Sequence, residues 1–214
     1  IPALIPILIF SVAPLLSGIG LAFTDASLRR NATNQFIGLQ NFADLLGDTM
    51  FWESFRIGMV WAVSVTTLQL VAGLVLALLL NANLRFQGLA RVLALIPWAM
   101  PPVVVAIMWQ LIYSTNGPLN AVLSLFGPTV TTNWLGDFST ALPAVIVVGV
   151  WVGMPQTTIT LLAALQQIPT EQVEAAAMDG ANAWRRFRLL FFFVFLLVMA
   201  SITSLNFIWN FNSF

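Results

Sequence analysis

The charged groups of this 214-residue chain are scarce, and the densest set of them, Glu171, Glu174, Asp179, Arg185, Arg186 and Arg188, forms a polar island between two long apolar segments. Glu174 and Asp179 are two of the chain's eight acids within six residues, and the three arginines follow directly. Such a cluster cannot lie in lipid, so its chemistry is electrostatic docking at a membrane surface. The chain has no Cys and no His, which removes thiol chemistry, zinc sites of the usual kind and imidazole catalysis together. No residue is expected to act as a catalyst or to hold a metal. A second set, Thr203, Asn206 and Asn210, recurs at helical spacing on one face of the last apolar segment, beside Ser201, Ser204, Asn212, Phe207 and Trp209. Trp109 and Gln110 in the third apolar segment, and Thr66 and Gln69 in the second, are further candidates. Their amides and hydroxyls can bond a polar solute, and they can equally join helix to helix.

The elements that position these residues follow from composition. Hydrophobic residues make up 59% of the chain and charged residues 7%, far below the roughly 25% charge of a soluble domain. An integral membrane protein is implied, with a zero formal net charge that gives no reason to expect nucleic acid as a partner. Five apolar runs approach the roughly 20 residues that cross a bilayer as helix: Ile1–Phe23, Phe55–Leu80, Leu89–Tyr113, Leu142–Leu165 and Leu189–Trp209. The first could be a cleavable signal, but its length and Pro2, Pro6 and Pro14 fit a true span better. Ile1 is not an initiator Met and Phe214 stops just after an apolar run, so both ends are expected to be cut. The predicted fold is an all-α polytopic transmembrane bundle, a single domain over residues 1–214.

Arginines set the orientation, since short cytoplasmic loops hold an excess of them. Arg85 and Arg91, and then Arg185, Arg186 and Arg188, mark two loops as cytoplasmic, whereas the loop from Ser114 to Leu142 carries no basic residue. The island therefore faces the cytoplasm. Of the outward loops, residues 24–54 should contain a turn and a short amphipathic helix, and the next an interfacial helix near Leu119–Phe126 with Trp134 at headgroup depth.

Within the island, Pro169 and Thr170 stop the preceding span, and Glu171 and Glu174 fall in a first helical turn, where the dipole favours negative charge. Ala175, Ala176 and Ala177 leave a face of little bulk. Asp179-Gly180 predicts a tight turn, because Gly tolerates the left-handed conformation that ends a helix. Asn182 can then cap a second helix bearing Trp184 and Phe187. From these residues alone, a capped amphipathic hairpin lying on the headgroups is the simplest reading.

The pattern Glu174-Ala175-Ala176, Asp179-Gly180-Ala181 and Phe187 also resembles the EAA loop of permease subunits in bacterial ABC importers, more narrowly the sugar-importer permeases of the maltose type. Ile37-Gly38-Leu39-Gln40-Asn41-Phe42, Leu95-Ile96-Pro97-Trp98-Ala99-Met100-Pro101 and Leu205-Asn206-Phe207-Ile208-Trp209-Asn210-Phe211 extend the resemblance over nearly the whole chain. Within that family it most resembles permeases of the mycobacterial trehalose-importer type. The resemblance implies a six-span core in the bacterial plasma membrane, five spans being visible here, with residues 170–187 forming a cytoplasmic coupling loop held in a cleft of an ATPase subunit. Glu174 and Asp179 would hold that loop, Ala175, Ala176 and Ala181 would allow close packing, and Gly180 would permit the turn. The implied partners are a second permease, two ATPase subunits that bind ATP and Mg, an extracytoplasmic binding protein, the bilayer and a sugar, a disaccharide such as trehalose or maltose. Asn206, Asn210, Thr203, Trp209, Gln110 and Gln69 become the expected substrate path.

One departure stands out. The family has a proline shortly after the loop, about where Phe193 stands, so the geometry of the Phe-rich stretch 191–195 is in question. No GxxxxGK[ST] loop is present, so this chain is not expected to hydrolyse ATP itself. A proton-coupled transporter would need acids or bases at the centres of its spans, and none is there, which argues against proton coupling; the alternatives are a passive channel or secondary transporter subunit, or an ABC importer of glycerol 3-phosphate or another polar solute.

Overall fold

The computed structural model describes residues 4–26, 35–82, 85–167, 171, 175, 178–182, 185 and 196–213, and among them the regular structure is helical apart from one isolated bridge between Thr24 and Phe36. The chain divides into two compact units, Ile1–Ile57 and Gly58–Phe214. In the first, helix α1 (Leu4–Leu21) is long and apolar enough to cross a membrane, and it passes through a π-helical turn at Leu8–Val12, just before Pro14. Beyond it, Ile37 N–H donates to Phe23 O at 2.9 Å and Asp25 N–H to Gln35 O at 3.0 Å. Gly38 takes φ +63, a turn that only Gly makes without strain. Asn41 Nδ2 then ties the end of α1 through Ala22 O and Thr24 O, both at 2.9 Å, and Phe42 packs on Phe23 with ring centroids 5.6 Å apart. These contacts give the Gly38–Phe42 motif a local structural role. The short amphipathic helix expected in this loop is α2 (Gln40–Gly47), which begins at the motif itself.

Helix α3 (Thr49–Asn81) runs across the division, and its length after Gly58 packs in the second unit. There follow α4 (Gln87–Ala99), α5 (Pro102–Ile112), the short α6 (Pro118–Leu123), the long α7 (Phe138–Gln166) and α8 (Leu196–Asn212). The second unit is built on α7. Ala77 and Leu80 of α3, Leu161, Leu162 and Ala164 of α7 and Ile202 of α8 form the buried cluster, and Ala90 and Ala94 of α4 pack against it. Gln87 Nε2 donates to Leu80 O at 2.6 Å, occupying one of the carbonyls that a helix end leaves open.

The single span expected over Leu89–Tyr113 is two helices. Helices α4 and α5 meet at a bend of 94°. Met100 is extended at φ −77, ψ 137, and Pro101 follows at φ −58, ψ 136. The cause is the proline pair: the ring of Pro101 pushes the residue before it out of the helical region, and neither Pro101 nor Pro102 has an N–H to continue the ladder. Three described helices, α1, α3 and α7, are long and apolar enough to span a membrane, or four if the bent pair is one span. The fifth expected segment is described from Leu196 onward as α8, and the Phe-rich stretch before it lies outside the described residues.

Helices α3 and α7 approach closely because small residues face large ones along their seam. A Cβ at Gly149 would stand 2.7 Å from Trp61 Cη2, and one at Gly73 would stand 2.8 Å from Thr157 Cγ2. A Cβ at Gly153 would run into the Gln69 amide. Such small-residue contacts are how helices pack tightly in lipid, where no hydrophobic force draws them together.

Candidate translocation site and coupling loop

The polar residues of the seam bond mainly to one another and to backbone. Asn210 Nδ2 donates to Thr66 Oγ1 at 3.0 Å and to Gln69 Oε1 at 3.2 Å. Gln69 Nε2 in turn donates to Gly149 O at 3.0 Å, and Trp61 Nε1 to Asn210 O at 3.0 Å. One turn along α8, Asn206 Nδ2 donates to Thr157 Oγ1 at 2.9 Å. Thr66, Gln69, Thr157 and Asn210 are all buried. Helices α3, α7 and α8 are therefore joined by a polar seam, and each bond satisfies a group that would be costly to bury alone.

Beside the seam lie open spaces. Between α7 and α8 a cavity of about 300 Å³ is lined by Gln156, Thr160, Ser201 and Asn206. A larger one, about 600 Å³, lies along α5 and α7, and its wall includes Met100 and Pro102 at the bend, Gln110, and Ser213 at the end of α8. Among the described residues, no Asp, Glu, Lys or Arg lines either space. Of the residues expected on a substrate path, Gln110 and Asn206 line these cavities, Thr203 is half-buried, and Trp209 is 77% exposed. Gln69 and Asn210 are instead drawn into the seam. Gln156 and Thr160 escaped the sequence reading because nothing in a chain of apolar neighbours marks which turn of α7 will face α8.

The loop between α5 and α7 has its own organisation. Asn120 of α6, 2% exposed, donates Nδ2 to Thr115 O at 2.9 Å, to Thr132 O at 2.8 Å and to Ser114 O at 3.4 Å. Its Oδ1 accepts from Trp134 Nε1 at 2.7 Å. Trp134 is thus fixed by protein contacts; Tyr113 lies tilted against it with ring centroids 6.5 Å apart, and Trp109 lies tilted against Tyr113 at 5.1 Å. A cavity of about 410 Å³ adjoins these rings. Asp137 caps α7 by accepting from Ser139 N–H at 2.9 Å and Ser139 Oγ at 2.8 Å, and those bonds hold its carboxyl below the ordinary value of 3.8.

In the charged island, Asp179 N–H donates to Ala175 O at 3.0 Å, Gly180 takes φ +74, and Arg185 N–H donates to Asn182 Oδ1 at 2.8 Å. A helical turn therefore closes at Asp179 and reverses through a left-handed glycine, and a second helix start is capped at Asn182. Ala181 is half-buried and Ala175 exposed. Glu174 and Ala176 lie outside the described residues.

With this geometry in place, the model of the binding-protein-dependent transport system inner membrane component family matches residues 69–214, a stretch that begins at Gln69 of the seam and takes in its α7 and α8 residues, the cavities and the island. The chain belongs to this family. It is similar to the trehalose/maltose transport system permease protein MalF of Thermococcus litoralis, 35% identical over 193 residues that make up 88% of this chain and 63% of the relative. It is also similar to the galactooligosaccharides transport system permease protein GanP of Bacillus subtilis, 30% identical over 97% of this chain and 52% of the relative. The chain thus spans less than two thirds of either protein. In fold it matches a chain of a bacterial ABC transporter involved in the import of the acidic polysaccharide alginate, with a TM-score of 0.76 at 21% identity, covering 96% of this chain and 69% of that one. Membership accounts for a permease embedded in the membrane, with a helical core around α7.

Proposed function

We propose that the chain is a membrane-spanning subunit of an ATP-driven, binding-protein-dependent ABC importer, and that it forms half of the path for a sugar, a disaccharide such as trehalose or maltose. The observation that carries this reading is the pair of cavities beside the seam, walled by amides, hydroxyls and apolar faces with no carboxylate, ammonium or guanidinium among the described residues. Neutral polyols need hydrogen-bond partners and flat apolar contact, and they gain nothing from a buried charge. Relatives described as permeases for trehalose/maltose and galactooligosaccharides support the same substrate class. On this reading Asn206, Asn210, Thr203, Trp209 and Gln110 meet the sugar, with Gln156 opposite Asn206 as an addition from the cavity geometry.

Two ATPase subunits, holding ATP and Mg, would close and reopen beneath the membrane, and a second permease would complete the path. The island, with Glu174, Ala175, Ala176, Asp179, Gly180 and Ala181, would sit on the cytoplasmic face in a cleft of the ATPase and carry its motion to α7 and α8. Transport then follows from a population shift between inward-open and outward-open states. An extracytoplasmic binding protein would deliver the sugar to the outward loops.

The test is uptake by proteoliposomes holding the full-length chain with its co-purifying partners, offered trehalose, maltose and glycerol 3-phosphate with the matching binding proteins. Uptake of a disaccharide that stops when ATP or the binding protein is omitted is the expected result, and uptake indifferent to ATP would return the chain to the channels. In the same vesicles Gly180→Val should abolish uptake while leaving membrane insertion intact, because a β-branched residue at φ +74 is a genuine outlier. Normal uptake by that variant would remove the coupling role.

A further inference from the structure

A backbone carbonyl only accepts, so a side-chain amide that bonds to one has its direction fixed. Gln69 Nε2 donates to Gly149 O at 3.0 Å, which turns Gln69 Oε1 the other way, toward α8. Asn210 meets that oxygen with its Nδ2 at 3.2 Å. The direction set at Gly149 therefore passes through Gln69 to Asn210. Thr66 Oγ1 also receives Asn210 Nδ2, at 3.0 Å, but a hydroxyl can donate or accept and so follows the amide without choosing its direction. The relay depends on Gly153, since a Cβ there would occupy the place of the Gln69 amide.

The consequence falls on the other end of Asn210. Its nitrogen is turned into the seam, and no described residue donates to its Oδ1. Gln69 itself has both amide atoms engaged within the seam, whereas Asn210, among the described residues, has only its amide nitrogen engaged. We propose that Gln69 is a positioning residue that holds Asn210 with Oδ1 as the group offered to the sugar, so that this point on the path selects a hydroxyl able to donate. This rests on the reading of Asn210 as a sugar contact. A site built to pair with a substrate hydroxyl discriminates strongly against an analogue that lacks it, because its own polar group is then left unpaired.

The experiment uses the assembled transporter in proteoliposomes, with whichever of trehalose and maltose it imports and the set of monofluoro analogues of that sugar. Fluorine can weakly accept a hydrogen bond and cannot donate one. Wild type should show one position at which fluorine raises KM about tenfold or more. Gln69→Met keeps the side-chain length but releases Asn210 to turn over, since Thr66 can pair with either end of its amide. In that variant KM for the parent sugar should rise about fivefold, more than the maximal rate falls, and the fluorine penalty should shrink to about threefold or less. Because the penalty is a ratio within one variant, it is independent of how much complex assembles. An unchanged KM and an unchanged fluorine penalty in Gln69→Met, with Asn210→Ala impaired, would overturn the relay alone. If Asn210→Ala itself leaves KM unchanged, the sugar-contact reading fails and takes the relay with it.

Discussion

Two asparagines organise two regions of this chain, and they differ in what they leave unused. Asn120, between α5 and α7, donates to three carbonyls and accepts from Trp134, so both ends of its amide are engaged within the chain. Asn210, in the seam of α3, α7 and α8, has its nitrogen engaged by Thr66 and Gln69 and its oxygen without a donor among the described residues. Both are buried, at 2% and 7% exposure, so the contrast is one of bonding and not of depth. A saturated polar group closes a structure and fixes it. A group saturated at one end only holds its place and still has an atom to offer, which is the arrangement expected where a scaffold meets a ligand.

The contrast can be broken most forcefully at Asn120. Asn120→Ala would leave Trp134 Nε1 and the carbonyls of Thr115 and Thr132 in search of partners, Ser114 O keeping Gly117 N–H, a loss of about 1–3 kcal/mol for each group that stays buried and unsatisfied. The purified complex should melt several degrees lower, and limited proteolysis should cut between residues 113 and 137 first. A melting temperature equal to wild type would show that the loop does not depend on its hub.

Gly153→Ala should come next, through overpacking at about 1–3 kcal/mol and through displacement of the Gln69 amide. Its KM for the sugar should move in the same direction as that of Gln69→Met, whereas Gly127→Ala, whose added Cβ meets nothing within 4 Å, should leave KM alone. Thr66→Val sharpens the comparison further. It removes one acceptor from Asn210 and leaves the one that sets direction, so KM should change by about twofold or less, the scale of a single hydrogen bond with a surviving alternative.

The smallest effect is at Asp137. Its carboxyl is held below the ordinary 3.8 by Ser139, so its cap on α7 contributes fully at pH values above that and is lost as pH falls through the depressed value. Asp137→Asn should therefore flatten the acid limb of the melting curve without changing KM at neutral pH. A KM shift there would place the cap in the transport site after all.

Much of the helical plan was legible, since apolar length alone marks α1, α3 and α7. Some sites of special backbone were legible too: Gly180 takes the positive φ that its turn suggested and Asn182 caps as its position implied, whereas the positive φ of Gly38 lies in a turn that was expected only somewhere in residues 24–54. Hydropathy could not show the 94° bend at Met100, because it counts composition and carries no direction. The prolines at 101 and 102 were the available signal. Nor could the partners of Gln69 be read, since they lie 80 and 141 residues away and are brought to it by glycines whose meaning appears only when α3 meets α7. Asn120 falls within the interfacial helix expected near Leu119–Phe126 and nothing there marked it out, so its hub is visible only in three dimensions.

The most direct measurement sets Asn120→Ala beside Asn210→Ala in the same assembled transporter, recording melting temperature and sugar KM for each. The account predicts that Asn120→Ala lowers the melting temperature with KM held near wild type, and that Asn210→Ala raises KM about fivefold or more. If Asn210→Ala instead lowers the melting temperature and leaves KM where it was, Asn210 is a strut like Asn120, and the seam is scaffold alone.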